Sequence, residues 1–317
     1  MYFAILILGF VLVVKGADFL VDGGSALARR LHVSDLAVGL TVIAFGTSLP
    51  ELFVNVFASA RGNPEIALGN ILGSNTANIL LILGISAVIF PLQVKKGTVW
   101  KEIPFSLLAV LVLAVMMNDS WFDKKNSYLL TRSDGLVLIA FFVVFLYYSA
   151  GIAKEDERLS KASVKYFSLP KAIAWIISGL ILLIGGGKLI VDGAVYVAGK
   201  FGLSQSLIGL TVVAIGTSIP ELATSVTAAI KKNPEIAVGN VVGSNIFNIF
   251  FILGISSFIR PLPIHPRADI DIAVVFIATV ILFVCMFTGK RRILDRWEGA
   301  LLLAFYTGYV IFLVAQD

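Results

Sequence analysis

The sequence predicts an all-α membrane protein: ten transmembrane helices in two inverted five-helix repeats, with the N and C termini outside. Three observations predict it. Of 317 residues, 58% are hydrophobic and only 14% charged, with a mean hydropathy of +0.95, where a water-soluble domain carries about a quarter charged residues. Ten apolar stretches recur along the chain, each near or above the ~18–20 residues that cross a bilayer. And the second half repeats the first at an offset of 170 residues.

The apolar stretches lie at about 2–27, 34–60, 64–90, 100–118, 133–152, 170–197, 204–230, 234–259, 268–288 and 298–315. In lipid every backbone N–H and C=O must be satisfied internally, so each reads as a helix. The stretches are too long and too uniformly apolar for the alternating strands of a barrel. Residues 1–27 are read as a retained helix rather than a signal peptide, because no basic region precedes them. They also have a later counterpart: Val21-Asp22-Gly23 returns as Val191-Asp192-Gly193. The polar segment 153–169 is a cytoplasmic linker, too short for a domain. The chain thus divides into a first repeat (1–152), the linker (153–169) and a second repeat (170–317).

Charge sets the orientation. The net charge of +5 is spread over loops, in no block suited to nucleic acid. With the N-terminus outside, 16 Lys and Arg fall in inner loops and 7 in outer loops, the excess that marks the cytoplasmic side. Trp100, Trp121, Trp175 and Trp297 lie near span ends, as an aromatic belt does. This describes a multi-pass protein of the cell (inner) membrane, bathed in lipid and working as a monomeric unit. The single Cys285 excludes a disulfide within the chain. His32 and His265, beside Arg and Pro, read as interfacial residues.

The repeat locates the function. Gly39-Leu-Thr-Val-Ile-Ala-Phe-Gly-Thr-Ser-Leu-Pro-Glu-Leu52 returns as Gly209-Leu-Thr-Val-Val-Ala-Ile-Gly-Thr-Ser-Ile-Pro-Glu-Leu222, and 13 of 20 positions match across 39–58 and 209–228. Asn63-Pro-Glu-Ile-Ala-Leu-Gly-Asn70 returns as Asn233-Pro-Glu-Ile-Ala-Val-Gly-Asn240, and Gly73-Ser-Asn75 with Asn78 as Gly243-Ser-Asn245 with Asn248. Five spans per half place the copies in opposite orientations, an arrangement with its site at the midplane. Glu51 and Glu221 lie mid-span, and carboxylates there are functional candidates by default. Pro50 and Pro220 each remove a backbone hydrogen bond, which exposes carbonyls of the preceding turn, Ala44 and Phe45 among them. Carbonyl, hydroxyl and carboxylate oxygens are hard ligands suited to Na⁺ and Ca²⁺. Thr47 and Glu51 are spaced i, i+4, as are Ser74 and Asn78, and Ser244 and Asn248. Two carboxylates neutralise one Ca²⁺ or two Na⁺, so the ions would compete for one site.

Plainer readings stand beside these. Ser48-x-x-Glu51 and Ser218-x-x-Glu221 fit a capping box. Asn63-Pro64-Glu65 and Asn233-Pro234-Glu235 fit helix starts, with Asn capping and Pro at the first position. Asp18, Asp22, Asp192, Lys15 and Lys188 read as snorkelling or paired residues, and the glycines of spans one and six as close packing.

The doubled pattern Gly-Thr-Ser-Leu/Ile-Pro-Glu followed by Gly-Asn-x-x-Gly-Ser-Asn-x-x-Asn resembles the α-repeats of the sodium/calcium exchanger family, in its compact prokaryotic form. The resemblance covers essentially the whole chain. It implies Ca²⁺ exchanged for several Na⁺ by alternating access, both ions being substrates, and no cofactor. It implies Ca²⁺ held by Glu51, Glu221, Thr47 and Thr217. It implies Na⁺ held by Ala44, Ser48, Glu51, Ser74, Asn78, Ala214, Ser218, Glu221, Ser244 and Asn248, and it suggests that spans one and six move as a gate. Potassium-dependent relatives carry Asp where Asn248 stands, and proton-coupled ones a Gly-Asn-Ala-x-Glu pattern absent here. A K⁺-dependent or proton-coupled exchanger is therefore the alternative, and a cation channel ranks below it. No Ser–His pair or paired intramembrane Asp motif suggests an enzyme.

Overall fold

The computed structural model describes residues 2–61, 65–118, 129–155, 167–200, 214–264, 268–289 and 291–315. Helix α1 is Tyr2–Arg30. Helices α2 (Asp35–Thr47) and α3 (Leu49–Arg61) form one span bent by 47°. Helix α4 joins Glu65–Thr76, a π-helical stretch Ala77–Leu83 and Gly84–Ile89. Then come α5 (Thr98–Met117), α6 (Arg132–Glu155) and α7 (Leu169–Lys200). Helices α8 (Ala214–Thr217) and α9 (Ile219–Ile230) echo α2 and α3. Helix α10 joins Pro234–Ile246, a π-helical stretch Phe247–Leu253 and Gly254–Ile259. The last two are α11 (Ala268–Cys285) and α12 (Arg296–Ala315).

Among the described residues, six helices are long and apolar enough to cross a membrane, and the bent pair α2–α3 makes a seventh. The expected spans at 2–27 and 298–315 form the long helices α1 and α12. That at 204–230 is described from residue 214 onward, its earlier part lying outside the described residues, as do Trp121, His265, Asn63, Pro64 and most of the linker. Side chains such as Phe10, Val143, Tyr147, Ile181 and Ile311 point outward, as a lipid-facing surface requires. The chain is an integral, multi-pass membrane protein.

Burial sorts the helices. The spans of α10 and α4 are 94% and 78% buried, against 28–39% for those of α5, α6, α7 and α11. The two copies of the Gly-Asn-x-x-Gly-Ser-Asn segment thus form the centre, and the uniformly apolar helices surround them. Helices α1 and α7 pack antiparallel, backbone against backbone. A Cβ on Gly16 would stand 2.8 Å from the Gly179 carbonyl oxygen, and one on Gly179 would stand 2.8 Å from that of Gly16. Such contact needs residues without side chains.

Two features depart from the sequence reading. Among the described residues, four strands of two residues each interrupt the all-α expectation: β1 (Leu92–Gln93) pairs with β4 (Ile293–Leu294), and β2 (Leu129–Leu130) with β3 (Leu262–Pro263). Each pair ties a loop of the first half to one of the second, satisfying backbone groups where the chain leaves its helices. The π-helical stretches in α4 and α10 were not foreseen either. An extra residue per turn leaves no mark on composition, and such bulges cluster at functional sites.

Candidate functional site

The site is built from two breaks and two π stretches. Pro50 has no N–H, so the helix cannot serve the carbonyl four residues earlier, that of Gly46. The chain turns at Ser48 (φ −83°, ψ 10°) and repeats the turn at Ser218 (φ −87°, ψ 4°). These angles lie near the sparsely allowed bridge region. Contrary to expectation, the Ala44 carbonyl keeps its donor: it accepts from the Ser48 N–H at 3.1 Å, with Thr47 Oγ1 3.3 Å away, because the bond that Pro50 removes belongs to Gly46, two residues later. Ala214 is the first residue of α8.

The serines do not cap their own helices. Ser48 Oγ donates to Glu221 Oε1 at 2.8 Å and lies 3.0 Å from Ser244 Oγ. Ser218 Oγ donates to Glu51 Oε1 at 3.4 Å and lies 3.3 Å from Ser74 Oγ. Both contacts are crossed: each half's serine serves the other half's acid. The capping-box reading of Ser48-x-x-Glu51 and Ser218-x-x-Glu221 fails for this reason. The Asn-Pro-Glu reading holds where it is visible, since Asn233 accepts from the Ile236 N–H at 3.3 Å and Pro234 begins α10.

The amides are crossed too. Asn78 Nδ2 donates to Asn245 Oδ1 at 2.9 Å, and Asn248 Nδ2 to Asn75 Oδ1 at 2.9 Å. Asn75 and Asn245 reach each other's backbone carbonyls at 3.3 and 3.5 Å. Thr47 Oγ1 donates to Asn240 Oδ1 at 3.0 Å, and Thr217 Oγ1 to Asn70 Oδ1 at 3.5 Å. The amide of Asn240 continues to Ser225 Oγ at 2.9 Å and to the Glu221 carbonyl at 3.3 Å. In the first half Asn55 covers the equivalent Glu51 carbonyl at 2.6 Å, and Asn70 Nδ2 is left without a partner.

The structure therefore buries Thr47, Ser48, Glu51, Ser74, Asn78, Thr217, Ser218, Glu221, Ser244 and Asn248, with the serines and acids in two crossed sets and the asparagines in a third. Sequence spacing missed Asn70, Asn75, Asn240 and Asn245. Their signal was present in the duplicated Gly-Asn-x-x-Gly-Ser-Asn pattern, but helical spacing alone directs attention to neighbours on one helix.

Among the candidate ligands, Glu51 Oε2, Glu221 Oε2, Asn78 Oδ1 and Asn248 Oδ1 are buried without a hydrogen-bond partner, as are other buried polar atoms elsewhere, Ser59 Oγ and Glu102 Oε2 among them. Carboxylate and amide oxygens only accept, and burying them unpaired is costly. Such oxygens are suited to a hydrogen-bond donor or to a hard cation. A separate cavity of about 460 Å³ opens beside the break, between Phe45, Gly46, Leu49, Phe142, Leu180 and Phe247. Its walls are almost wholly apolar, with Thr41 the one polar side chain among them.

Comparison with known proteins agrees with this chemistry. The family model described as sodium/calcium exchanger protein matches residues 1–151 and 171–315. The putative antiporter CaxA of Alkalimonas amylolytica is 38% identical over 96% of this chain and 95% of its own length. Sodium/calcium exchanger MaX1 of Methanosarcina acetivorans is 33% identical over 98% of both. The solved structure of the sodium-calcium exchanger NCX_Mj, from crystals soaked with 10 mM Na⁺ and zero Ca²⁺, superposes with a TM-score of 0.84 at 34% identity, over 98% of each chain. With its crossed acids and serines at the meeting of two copies of one motif, the chain belongs to the sodium/calcium exchanger family.

Proposed function

We propose that this chain is an antiporter exchanging Na⁺ for Ca²⁺ by alternating access, with one shared site at Glu51 and Glu221. Four partnerless buried oxygens, two of them carboxylate, gathered on the duplicated motif carry the reading. Ca²⁺ takes Glu51, Glu221, Thr47 and Thr217. Na⁺ takes Ala44, Ser48, Glu51, Ser74, Asn78, Ala214, Ser218, Glu221, Ser244 and Asn248. Two carboxylates balance one Ca²⁺ or two Na⁺, and both sets need both acids, so loading one ion expels the other.

The architecture that goes with this function has ten spans in two inverted repeats, 1–152 and 170–317, joined by the cytoplasmic linker 153–169. The termini face outward, the unit is a monomer surrounded by lipid, and the location is the inner membrane, a word carried by the similar inner membrane protein YrbG of Escherichia coli. Proteoliposomes with an outward Na⁺ gradient should take up Ca²⁺, and should stop when the gradient is removed. Uptake driven equally by K⁺ or H⁺ would favour the K⁺-dependent or proton-coupled alternative instead.

Asn75 and Asn245 act here as positioning residues. By accepting from the amides of Asn248 and Asn78, they turn the Oδ1 atoms of those residues toward the ion. Asn245→Ala should raise the half-saturating Na⁺ concentration about tenfold, the loss of roughly one hydrogen bond to an ion-binding group. Adding it to Asn78→Ala should change nothing further, because the group it orients is gone. Additive effects would show that Asn245 acts by packing alone.

A further inference from the structure

The two halves share a motif but not an environment, and the difference lies along one stripe. On α9, Thr224 and Ala228 are fully buried and Lys231 follows at the helix end; spacing of i, i+4, i+7 puts all three on one face. Helix α1 packs along α9. The equivalent stripe on α3 is Val54, Ala58 and Arg61. There Val54 and Ala58 are partly exposed and Arg61 is exposed, its guanidinium 6.0 Å from the Phe57 ring.

Chemistry accounts for the closed side. Lys231 Nζ lies 2.6 Å from Asp22 Oδ1 and 3.2 Å from Asp18 Oδ1, and donates to the Asp18 carbonyl at 3.1 Å. Asn233, two residues on, donates to Ser25 Oγ at 3.2 Å. Asp18, Asp22 and Ser25 again follow i, i+4, i+7, so one face of α1 is pinned to the end of α9. At an offset of 170 these become Lys188, Asp192 and Val195. Arg61 would thus meet one acid and one like charge, a weaker set, and Asp192 is exposed.

The α1–α7 pair is locked backbone to backbone at Gly16 and Gly179. A shift of α1 away from α9 therefore carries α7 with it. We propose that Lys231 with Asp18 and Asp22 is a salt-bridge latch that holds the α1–α7 pair over one end of the ion path, and that Arg61 with Asp192 is its weaker counterpart at the other end. The inference rests on alternating access, and it explains why one stripe is covered while its twin is open.

Two reporters test it, Ala228→Cys and Ala58→Cys, each in a Cys285→Ser background and treated with a membrane-impermeant methanethiosulfonate. With the latch intact, Ala58→Cys reacts and Ala228→Cys is protected. Lys231→Met or Asp22→Asn should speed modification of Ala228→Cys about tenfold and slow that of Ala58→Cys, as loss of a half-buried ion pair shifts a two-state balance. The swapped pair Lys231→Asp with Asp22→Lys should restore protection, which a merely misfolded variant could not do. Unchanged reporter rates in both single variants would overturn the latch. The reporters read helix position rather than ion movement. Absent flux with responsive reporters would sink the antiport reading alone, and normal flux with unresponsive reporters would sink the latch alone.

Discussion

Glu51→Gln and Glu221→Gln should each reduce Na⁺-driven Ca²⁺ uptake by about a hundredfold or more, since Ca²⁺ affinity follows the charge of its ligands. Glutamine keeps the size and the oxygen that accepts from Ser218 or Ser48. It removes half of the site's fixed charge. A divalent ion facing a single carboxylate in a dry site is left with uncompensated charge, and that cost exceeds anything one hydrogen bond returns. The fold should survive, because the crossed serine bonds still have acceptors. Thermal melting in detergent should match the unmodified protein while flux disappears. Normal transport by either variant would remove Glu51 and Glu221 from the site.

The second large effect concerns packing. Gly16→Leu should destabilise the protein by about 3 kcal/mol or more, at the upper end of overpacking costs. The first added carbon already meets the Gly179 carbonyl oxygen at 2.8 Å and the Leu183 nitrogen at 2.8 Å. Both are backbone atoms, so relief requires the helices to separate. Gly185→Ala is the control on the same pair: nothing lies within 4 Å of its Cβ position, and Ala is the better helix former by about 1 kcal/mol. Melting temperatures of the two variants should move in opposite directions. A Gly16→Leu protein as stable as the parent would contradict the close approach of α1 and α7.

Much of the centre was legible in the sequence because it is written twice. The offset of 170 residues singled out Glu51 with Glu221 and Ser48 with Ser218 before any geometry was known. What could not be read was which atom meets which. Spacing rules compare residues on one helix, so they pair Ser48 with Glu51, its neighbour by i, i+3. The fold sends its hydroxyl to Glu221 instead. The same limit hid Asn75 and Asn245, whose partners lie on the opposite copy. Pro50 removes the bond to the carbonyl four residues before it, that of Gly46, while the Ala44 carbonyl keeps the Ser48 N–H. The π stretches and the four short strands depend on backbone register, for which residue type gives no signal.

The crossed bonds also set the smallest unit that can work. One half alone holds an acid without its hydroxyl donor and a hydroxyl without its acid. Two copies must meet before either is complete. Joining them in a single chain fixes the ratio at one to one and spares the cell from matching two products. It also ties their inheritance together: a change to Ser48 alters the surroundings of Glu221, so neither copy can drift without the other registering it.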